Sequence, residues 1–517
     1  MNHLPLRSAA GVACLLAGGL AQIHCSKVDR TPARHAISSV GLKMTLLPSR
    51  NSPIVYFRLL FRVGSIDDPA GKEGLTALTA AMLAQGGTRS LTYPELLEAL
   101  YPMAAHIDFQ SDKELVVITG QCHRDHLPRF YPLLRDAVLE PRFDGNDFTR
   151  LRDEAVNYLA NTLRGNDDEN LGKWTLELAL YEGHPYGRVD VGTIQGLKAI
   201  TLEDVKSHYR SHFTRETADL GLAGGYPEDW VGTLEREFSQ RLPEGKVEHP
   251  ALPSPRMPEG IEVVAVKKPC IATAVSAGFP TRVTRRDEDW YALLVANSYL
   301  GEHRTFNGVL MNELRGRRGL NYGDYSYIEN FIQDGGTTFP VPNIPRRQQY
   351  FSFWLRPIPH RNALFGLRAA LHHLDRLVRD GISEEDFQQT RSFLTSYSRL
   401  WAQSLDQRLG YLQDSGFYGM ADYLAEMQKR LPALTREQVN QAIRKHLQSK
   451  NLVVALVSED ASEALDTLLA GKPTPIHYDG AGTPPEILDE DRVIEKFPVS
   501  VNRNRSRVLT PDQLFER

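Results

Sequence analysis

Residues 201–223 read TLEDVKSHYRSHFTRETADLGLA, and residues 435–457 read TREQVNQAIRKHLQSKNLVVALV. Each opens on a threonine, Thr201 or Thr435, with an acceptor side chain three residues on, Asp204 or Gln438. That pattern marks a helix N-terminus: the threonine caps the first turn and the third residue reaches back, with Gln438 giving the capping box in its strict form. Each helix runs to a histidine, His212 or His446, and an apolar run follows, 218–223 or 452–457, of the length and composition of a buried strand. The same order of helix and strand, 234 residues apart, predicts a duplicated unit.

The repeat extends outward from these segments. Residues 41–48 (GLKMTLLP) and 260–269 (GIEVVAVKKP) each read as a strand that ends in a turn, beginning at Gly41 and Gly260. Asp147-Phe148 and Asp386-Phe387 each begin a helical pattern. The offsets of these pairs are 219 and 239, so the order holds and only loop lengths drift. In the first copy the run 55–63 follows 42–47 as a hairpin-like partner, and a further strand is expected at 115–121. Five prolines in residues 242–260 (LPEGKVEHPALPSPRMPEG) exclude a helix there and favour an extended linker. The expected class is α+β: two homologous α/β domains, each a mainly antiparallel sheet with helices packed on one face. The expected divisions are 36–240, a linker at 241–260, 261–470, and a tail at 471–517 whose VLTPDQLF (508–515) is a short apolar anchor at most.

Bulk properties agree. A chain of 517 residues exceeds what one core supports, and 41% hydrophobic with 24% charged residues is ordinary for a globular protein. A net charge of -4 gives no basic excess for nucleic acid or an anionic membrane. Residues 9–21 (AAGVACLLAGGLA), behind Arg7, are too short to span a bilayer but suit the apolar core of a signal peptide cleaved after Ala21. Export, to a periplasm by preference, is therefore expected. Ile23 and His24 are bulky where a lipid-attachment site at Cys25 needs small residues, so no lipid anchor is expected. Cys14 leaves with the signal, and Cys25, Cys122 and Cys270 lack the spacing of a disulfide framework or thiolate zinc site; Cys122 and Cys270 are expected to be buried. No later segment offers 18 apolar residues.

Residues 62–90, RVGSIDDPAGKEGLTALTAAMLAQGGTRS, carry the chemical argument. Together with the His184-Pro-Tyr-Gly187 turn and the repeat, they resemble the insulinase/pitrilysin family of inverted zincins, in its mitochondrial processing peptidase-like branch. The resemblance implies a clamshell of two domains around a cavity. In the family this helix bears H-x-x-E-H: two histidines one turn apart on one face hold zinc, and the glutamate activates the metal-bound water. Here Ala77, Ala80 and Ala81 occupy those three positions. Alanine has no donor atom, so this chain is expected to bind no catalytic zinc. Glu154 is the single carboxylate near the place of the family's third ligand, and one carboxylate does not hold zinc. The stretch from Leu300-Gly301 through Leu314-Arg315 to Gly319-Leu320 and Tyr322 resembles the family segment whose Arg and Tyr hold a bound peptide backbone, which implies a substrate-binding role for Arg315 and Tyr322.

The remaining candidates are weaker. His123 with His126, and His372 with His373, are read as surface or packing residues rather than ligands, and Arg317 and Arg318 as surface charges. The resemblance thus implies a non-catalytic, substrate-binding subunit of a heterodimeric zinc endopeptidase, whose partner is a homologous chain bearing zinc and H-x-x-E-H. The alternative is a structural or peptide-binding scaffold with no part in proteolysis.

Overall fold

The structure is a computed structural model that describes residues 33–37, 42–302, 307–333, 338–480 and 482–517. The expected signal segment, Cys14, Cys25 and Gly41 lie outside the described residues.

Twelve strands form two six-stranded sheets among the described residues. The first holds β1 (Arg34–Ile37), β2 (Lys43–Pro48), β3 (Ile54–Phe61), β4 (His106–Ser111), β5 (Val116–His123) and β6 (Ala218–Gly224), in the order β1-β2-β6-β3-β5-β4. The second holds β7 (Ile261–Lys267), β8 (Thr273–Thr281), β9 (Asp324–Tyr327), β10 (Gln349–Ile358), β11 (Leu452–Ser458) and β12 (Arg507–Leu509), in the order β12-β7-β11-β8-β10-β9. Without the outermost strands β1 and β12, the two orders coincide. In each copy the first and last strands of the unit pair in parallel, β2 with β6 and β7 with β11, and the other pairs within the unit are antiparallel. The duplication is therefore one of connectivity as well as sequence. Both late helices, Leu202–His212 and Arg436–His446, close full capping boxes: Thr201 N–H donates to Asp204 at 2.9 Å and Thr435 N–H to Gln438 at 2.9 Å. Asp204 serves in this role as well as glutamine.

The apolar runs β6 and β11 are buried along their whole length, which requires cover on both faces. One face of each sheet packs on helices of its own copy; Leu220 and Leu222 sit there in the first, Val454 and Leu456 in the second. The other face receives a helix from the other copy. Helix Asp168–Leu180 lays Leu176, Ala179 and Leu180 against Val264, Tyr350, Val453 and Ala455 of the second sheet. Helix Leu405–Phe417 lays Leu409 and Leu412 against Leu47 and Ala223 of the first. This reciprocal exchange lets each sheet complete the core of its neighbour, each buried leucine contributing about 1.5–3 kcal/mol. The approach is close at Gly221, where a Cβ would fall 2.9 Å from Gln413 Nε2 and 3.1 Å from a Leu409 methyl.

Charges lock the exchange. Arg58 on β3 grips the Asp406 carboxylate with both Nε (2.8 Å) and Nη2 (2.7 Å), and Gln413 Nε2 donates to the carbonyls of Arg58 and Asp219 at 3.0 Å each. The 471–517 segment is more than a polar tail. Its β12 extends the second sheet, and its last residues return to the first half, where Leu514 and Phe515 are buried beside Leu159 and Leu163. Arg164 Nε donates to the Leu514 carbonyl at 2.8 Å, and Ile194 N–H to that of Phe515 at 2.8 Å. Cys122 is buried as expected, whereas Cys270 is only half-buried, at the turn that enters β8.

Candidate functional site

The site is built on helix Leu75–Gln85. Its N-cap, Gly74, has φ 105°, a left-handed conformation that favours glycine. No side chain at the cap meets the first turn; Asp68 does so from upstream, accepting from Gly74 N–H (2.7 Å), Thr76 N–H (2.8 Å) and Thr76 Oγ1 (2.7 Å). Burial nevertheless pushes the Asp68 carboxyl up to about 7. His208 Nε2 meets the same Thr76 hydroxyl at 2.9 Å, and burial lowers its pKa to about 3.

The three alanines divide. Ala80 faces inward and packs in the first-half core with Leu83. Ala77 and Ala81 face a cavity of about 350 Å³, whose other walls include Leu78, Phe109, Leu151, Tyr158 and Val191. Glu154, on helix Gly145–Asn157, lines the same cavity, so it does face the alanines; it also pairs with Arg150 at 3.3 Å. The carboxylates that line the cavity are Glu154, exposed and shared with that arginine, and Asp190, paired with Lys113 at 2.9 Å; with no histidine or thiolate lining it among the described residues, this donor set does not fit zinc.

This cavity adjoins a larger one of about 530 Å³ between the two halves, walled by Trp174 and Asp108 from the first and Asn330, Phe331, Gln333 and Trp354 from the second. The two share Phe109, Ser111, Tyr158, Asp190 and Val191. A buried charge network borders the larger space. Lys113, in the turn between β4 and β5, pairs with Glu177 and Asp190 at 2.9 Å each, while Arg346 from the second half reaches Asp112 at 2.6 Å and Glu177 at 3.1 Å. With three carboxylates facing two cations in a desolvated place, Asp190 is pushed up to about 7, chiefly by burial. Lys173 Nζ lies 4.0 Å from the centre of the Trp354 ring and donates to Gln333 at 2.8 Å. None of these charges was singled out from sequence: Asp112-Lys113-Glu114 reads as a polar turn, and its partner Arg346 lies far along the chain.

Arg315 and Tyr322 do come together. Arg315 sits on a π-helical turn, Met311–Gly316, and its guanidinium lies 5.5 Å from the centre of the Tyr322 ring. Tyr322 is 77% exposed, and neither residue lines the two cavities. The neighbouring Gly323 carbonyl accepts from Arg356 N–H, and the Arg356 side chain pairs with Glu169 of the first half at 3.2 Å. Asp324, buried just beyond, is pushed up to about 8 by desolvation.

Arg318 corrects the surface reading: it is 5% exposed and bonded to Glu313, Glu490 and Asp491. The last two come from helix Pro485–Ile494, too distant in sequence to foresee. The same Glu490 lies with His372 and His373 in a group whose ligand atoms fall within 4.8 Å of one another. The carboxylate is committed to Arg318 at 2.7 Å, and arginines 317 and 376 also approach it, so the group is a structural ion cluster. His184 is structural as well, its Nδ1 accepting from Tyr186 N–H at 3.0 Å while its Nε2 meets the Pro253 carbonyl at 2.9 Å. Among the described residues no helix is long and apolar enough to cross a membrane.

Known proteins share this architecture. A model of the insulinase family (peptidase family M16) matches residues 44–189, and one for the peptidase M16 inactive domain matches residues 199–394. A Mycobacterium bovis protein named an uncharacterized zinc protease is 25% identical over 406 residues, 78% of this chain and 87% of its own length. A Helicobacter pylori protein named a non-peptidase homolog is 20% identical over 413 residues, 78% of this chain and 89% of its own. A crystal structure of a peptidase M16 inactive domain from Pseudomonas fluorescens superposes with a TM-score of 0.73 at 21% identity, covering 82% of this chain and 97% of that one. Fold and site together define a class: a duplicated α+β peptidase architecture with alanine at 77, 80 and 81 of the helix that borders the cavity. The chain belongs to the insulinase family, peptidase family M16, and is a non-catalytic member of it.

Proposed function

We propose that the chain is the substrate-binding subunit of a two-chain zinc endopeptidase, paired with a homologous chain that carries H-x-x-E-H and the zinc. The observation that carries this reading is the space beside Ala77 and Ala81, which shares five lining residues with a chamber walled by both halves. Strand β4 borders both cavities and, among the described residues, has β5 as its sole strand partner, so its outer edge is suited to an added peptide strand. Arg315 stacked with Tyr322 supplies donors for peptide carbonyls. Export, as the N-terminal sequence suggests, would place both chains outside the cytoplasm.

The test is affinity purification of the tagged chain from its own host, with mass spectrometry of whatever accompanies it. A stoichiometric second chain bearing H-x-x-E-H is expected, and a chain that returns alone removes the basis of the proposal. In the assembled pair, Arg315→Ala is expected to lower turnover about 10- to 100-fold while assembly is retained; unchanged turnover would remove Arg315 from the site. A scaffold without part in proteolysis is the second reading, favoured by the position of Arg315 and Tyr322 outside both cavities.

A further inference from the structure

Most of segment 471–517 stays with the second half: Ile494 is buried in that half's core, Val501 bridges to Ile261, and β12 pairs with β7. Residues 512–516 belong to neither sheet and settle on the first half. We infer that the surface they settle on is a docking site for a short peptide, that residues 512–516 are its ligand in cis, and that they form a releasable strap between the halves. The inference does not rest on the substrate-binding reading above.

The site recognises a main chain and two apolar side chains. Arg164, itself buried, donates to the Leu514 carbonyl through Nε (2.8 Å) and Nη2, and to the Asp512 carbonyl through Nη2 at 3.2 Å. The backbone N–H groups of Ile194 and Gln195 donate to the carbonyls of Phe515 (2.8 Å) and Glu516 (3.0 Å). All these bonds reach main-chain oxygens, so they hold a peptide without reading its sequence. Leu514 and Phe515 supply the selectivity: both are buried, in one cluster with Leu159, Leu163 and Ile194. Glu516 adds a side-chain contact to Arg164 at 3.1 Å, but its carboxylate is 40% exposed, and such pairs contribute little. The ligand class is thus a short peptide with adjacent leucine and phenylalanine.

Three observations make the strap releasable. Phe515 has φ 59°, a left-handed conformation that a bulky aromatic residue rarely adopts. Such strain persists only where the surroundings enforce it, and it collects at clamps and switch regions. The anchor on the other side is slight: β12 is three residues long, lies at the sheet edge, and leaves Arg507 and Val508 exposed. The seat itself is the π-helical turn Tyr158–Asn166, which supplies Leu159, Leu163 and Arg164. Widened turns of this kind are frequent at functional sites. Tyr158, the first residue of that turn, lines both cavities. Release of residues 512–516 therefore unloads a turn that borders the chamber, so occupancy of the seat is felt there.

The experiment compares the full chain with a chain shortened to end at Leu509, using a fluorescein-labelled peptide of residues 510–517 (TPDQLFER) and anisotropy. The peptide is expected to bind the shortened chain at least about 10-fold more tightly than the full chain, whose own segment competes at high effective concentration. A peptide carrying Leu514→Ala and Phe515→Ala is expected to bind at least about 10-fold more weakly than the parent, and one carrying Glu516→Ala within about threefold of it. A shortened chain that melts cooperatively yet binds no peptide, or binding that survives loss of both apolar side chains, would overturn the inference. A second variant, the full chain with Leu514→Ala and Phe515→Ala, is read by hydrogen exchange with mass spectrometry. Exchange is expected to rise at least about 10-fold at residues 158–166 and 194–195 and to stay unchanged in β6 and β11. Unchanged exchange at the seat would overturn the inference. This variant decides the matter if the shortened chain does not fold; faster exchange throughout, or failure of both variants to fold, would show a fixed part of the core and no strap.

Discussion

Helix Leu75–Gln85 in the first copy and helix Glu288–Gly301 in the second follow equivalent strands, β3 and β8, and precede equivalent strands, β4 and β9. Their surroundings differ. The first borders a cavity of about 350 Å³, the second one of about 40 Å³. The cause is side-chain volume. The first helix reads LTALTAAMLAQ, small at 77, 80 and 81, whereas the second carries Trp290, Tyr291, Leu293 and Leu294, all buried in the second-half core. One duplicated backbone thus supports either a pocket or a solid core, and a few residues on one helix decide which.

The largest effect should come from hollowing the solid copy. Trp290 is fully buried, and its indole N–H donates to the Tyr423 hydroxyl at 3.1 Å. Trp290→Ala removes that volume and strands the Tyr423 hydroxyl, so urea denaturation should show a loss of about 3–5 kcal/mol. A loss under 1 kcal/mol would mean that the second helix is no better packed than the first, and the contrast between the copies would fail.

A second contrast concerns titration. The register that aligns Thr201 with Thr435 aligns His208 with Ala442, so the buried imidazole beside the first helix has no counterpart at that position in the second copy. The folded pKa of His208, about 3, lies below the ordinary 6.5, because burial disfavours the imidazolium and His212 stands beside it. A depressed pKa contributes stability that is present above pH 6.5 and lost as pH falls toward 3. Between pH 6.5 and 5 the loss should be roughly 2 kcal/mol. In His208→Gln, which can keep a bond to Thr76 but cannot titrate, that part of the slope should vanish. Asp68, held up to about 7 on the other side of Thr76, contributes the opposite slope between 3.8 and 7. It is present in both proteins, so the difference between the two profiles reports His208; identical profiles would deny the burial of that imidazole.

What the sequence made legible follows from the same distinction between local and distant effects. Capping boxes, apolar strands and their order are local, and they announced the duplication before any coordinate. The alanines at 77, 80 and 81 were equally plain, because the absence of a donor atom needs no context. The exchange of helices was not legible. The apolar positions 171, 176, 179 and 180 show that the helix has a face to bury, and nothing in them says that the face belongs to the other copy's sheet. The Lys113 and Arg346 network was hidden for the same reason, since each charge taken alone reads as a turn or loop residue. Arg318 was misread because its neighbours Arg315 and Arg317 suggested a solvated cluster, while the acids that bury it lie near the end of the chain.

The smallest effect is the most discriminating. If the first copy keeps a true space, enlarging a residue that borders it should cost little. In a close-packed core an added set of methyl groups typically costs about 1–3 kcal/mol through forced rotamers and backbone shifts. Ala81 is 8% exposed and faces the cavity, whereas Ala80, its neighbour, is fully buried against Leu83 and the first sheet. Ala81→Leu is therefore expected to change the urea-unfolding free energy by less than about 1 kcal/mol, and Ala80→Leu to lower it by about 1–3 kcal/mol. Both variants place the same side chain on the same helix one residue apart, so helix propensity is common to both and cancels from the comparison. Equal and large losses would show that the helix is packed on both sides and that no pocket lies beside it. Equal and negligible losses would show a loosely packed helix with no defined wall. Only the asymmetric result fits a helix that borders an open space on one side and is sealed on the side that faces the core.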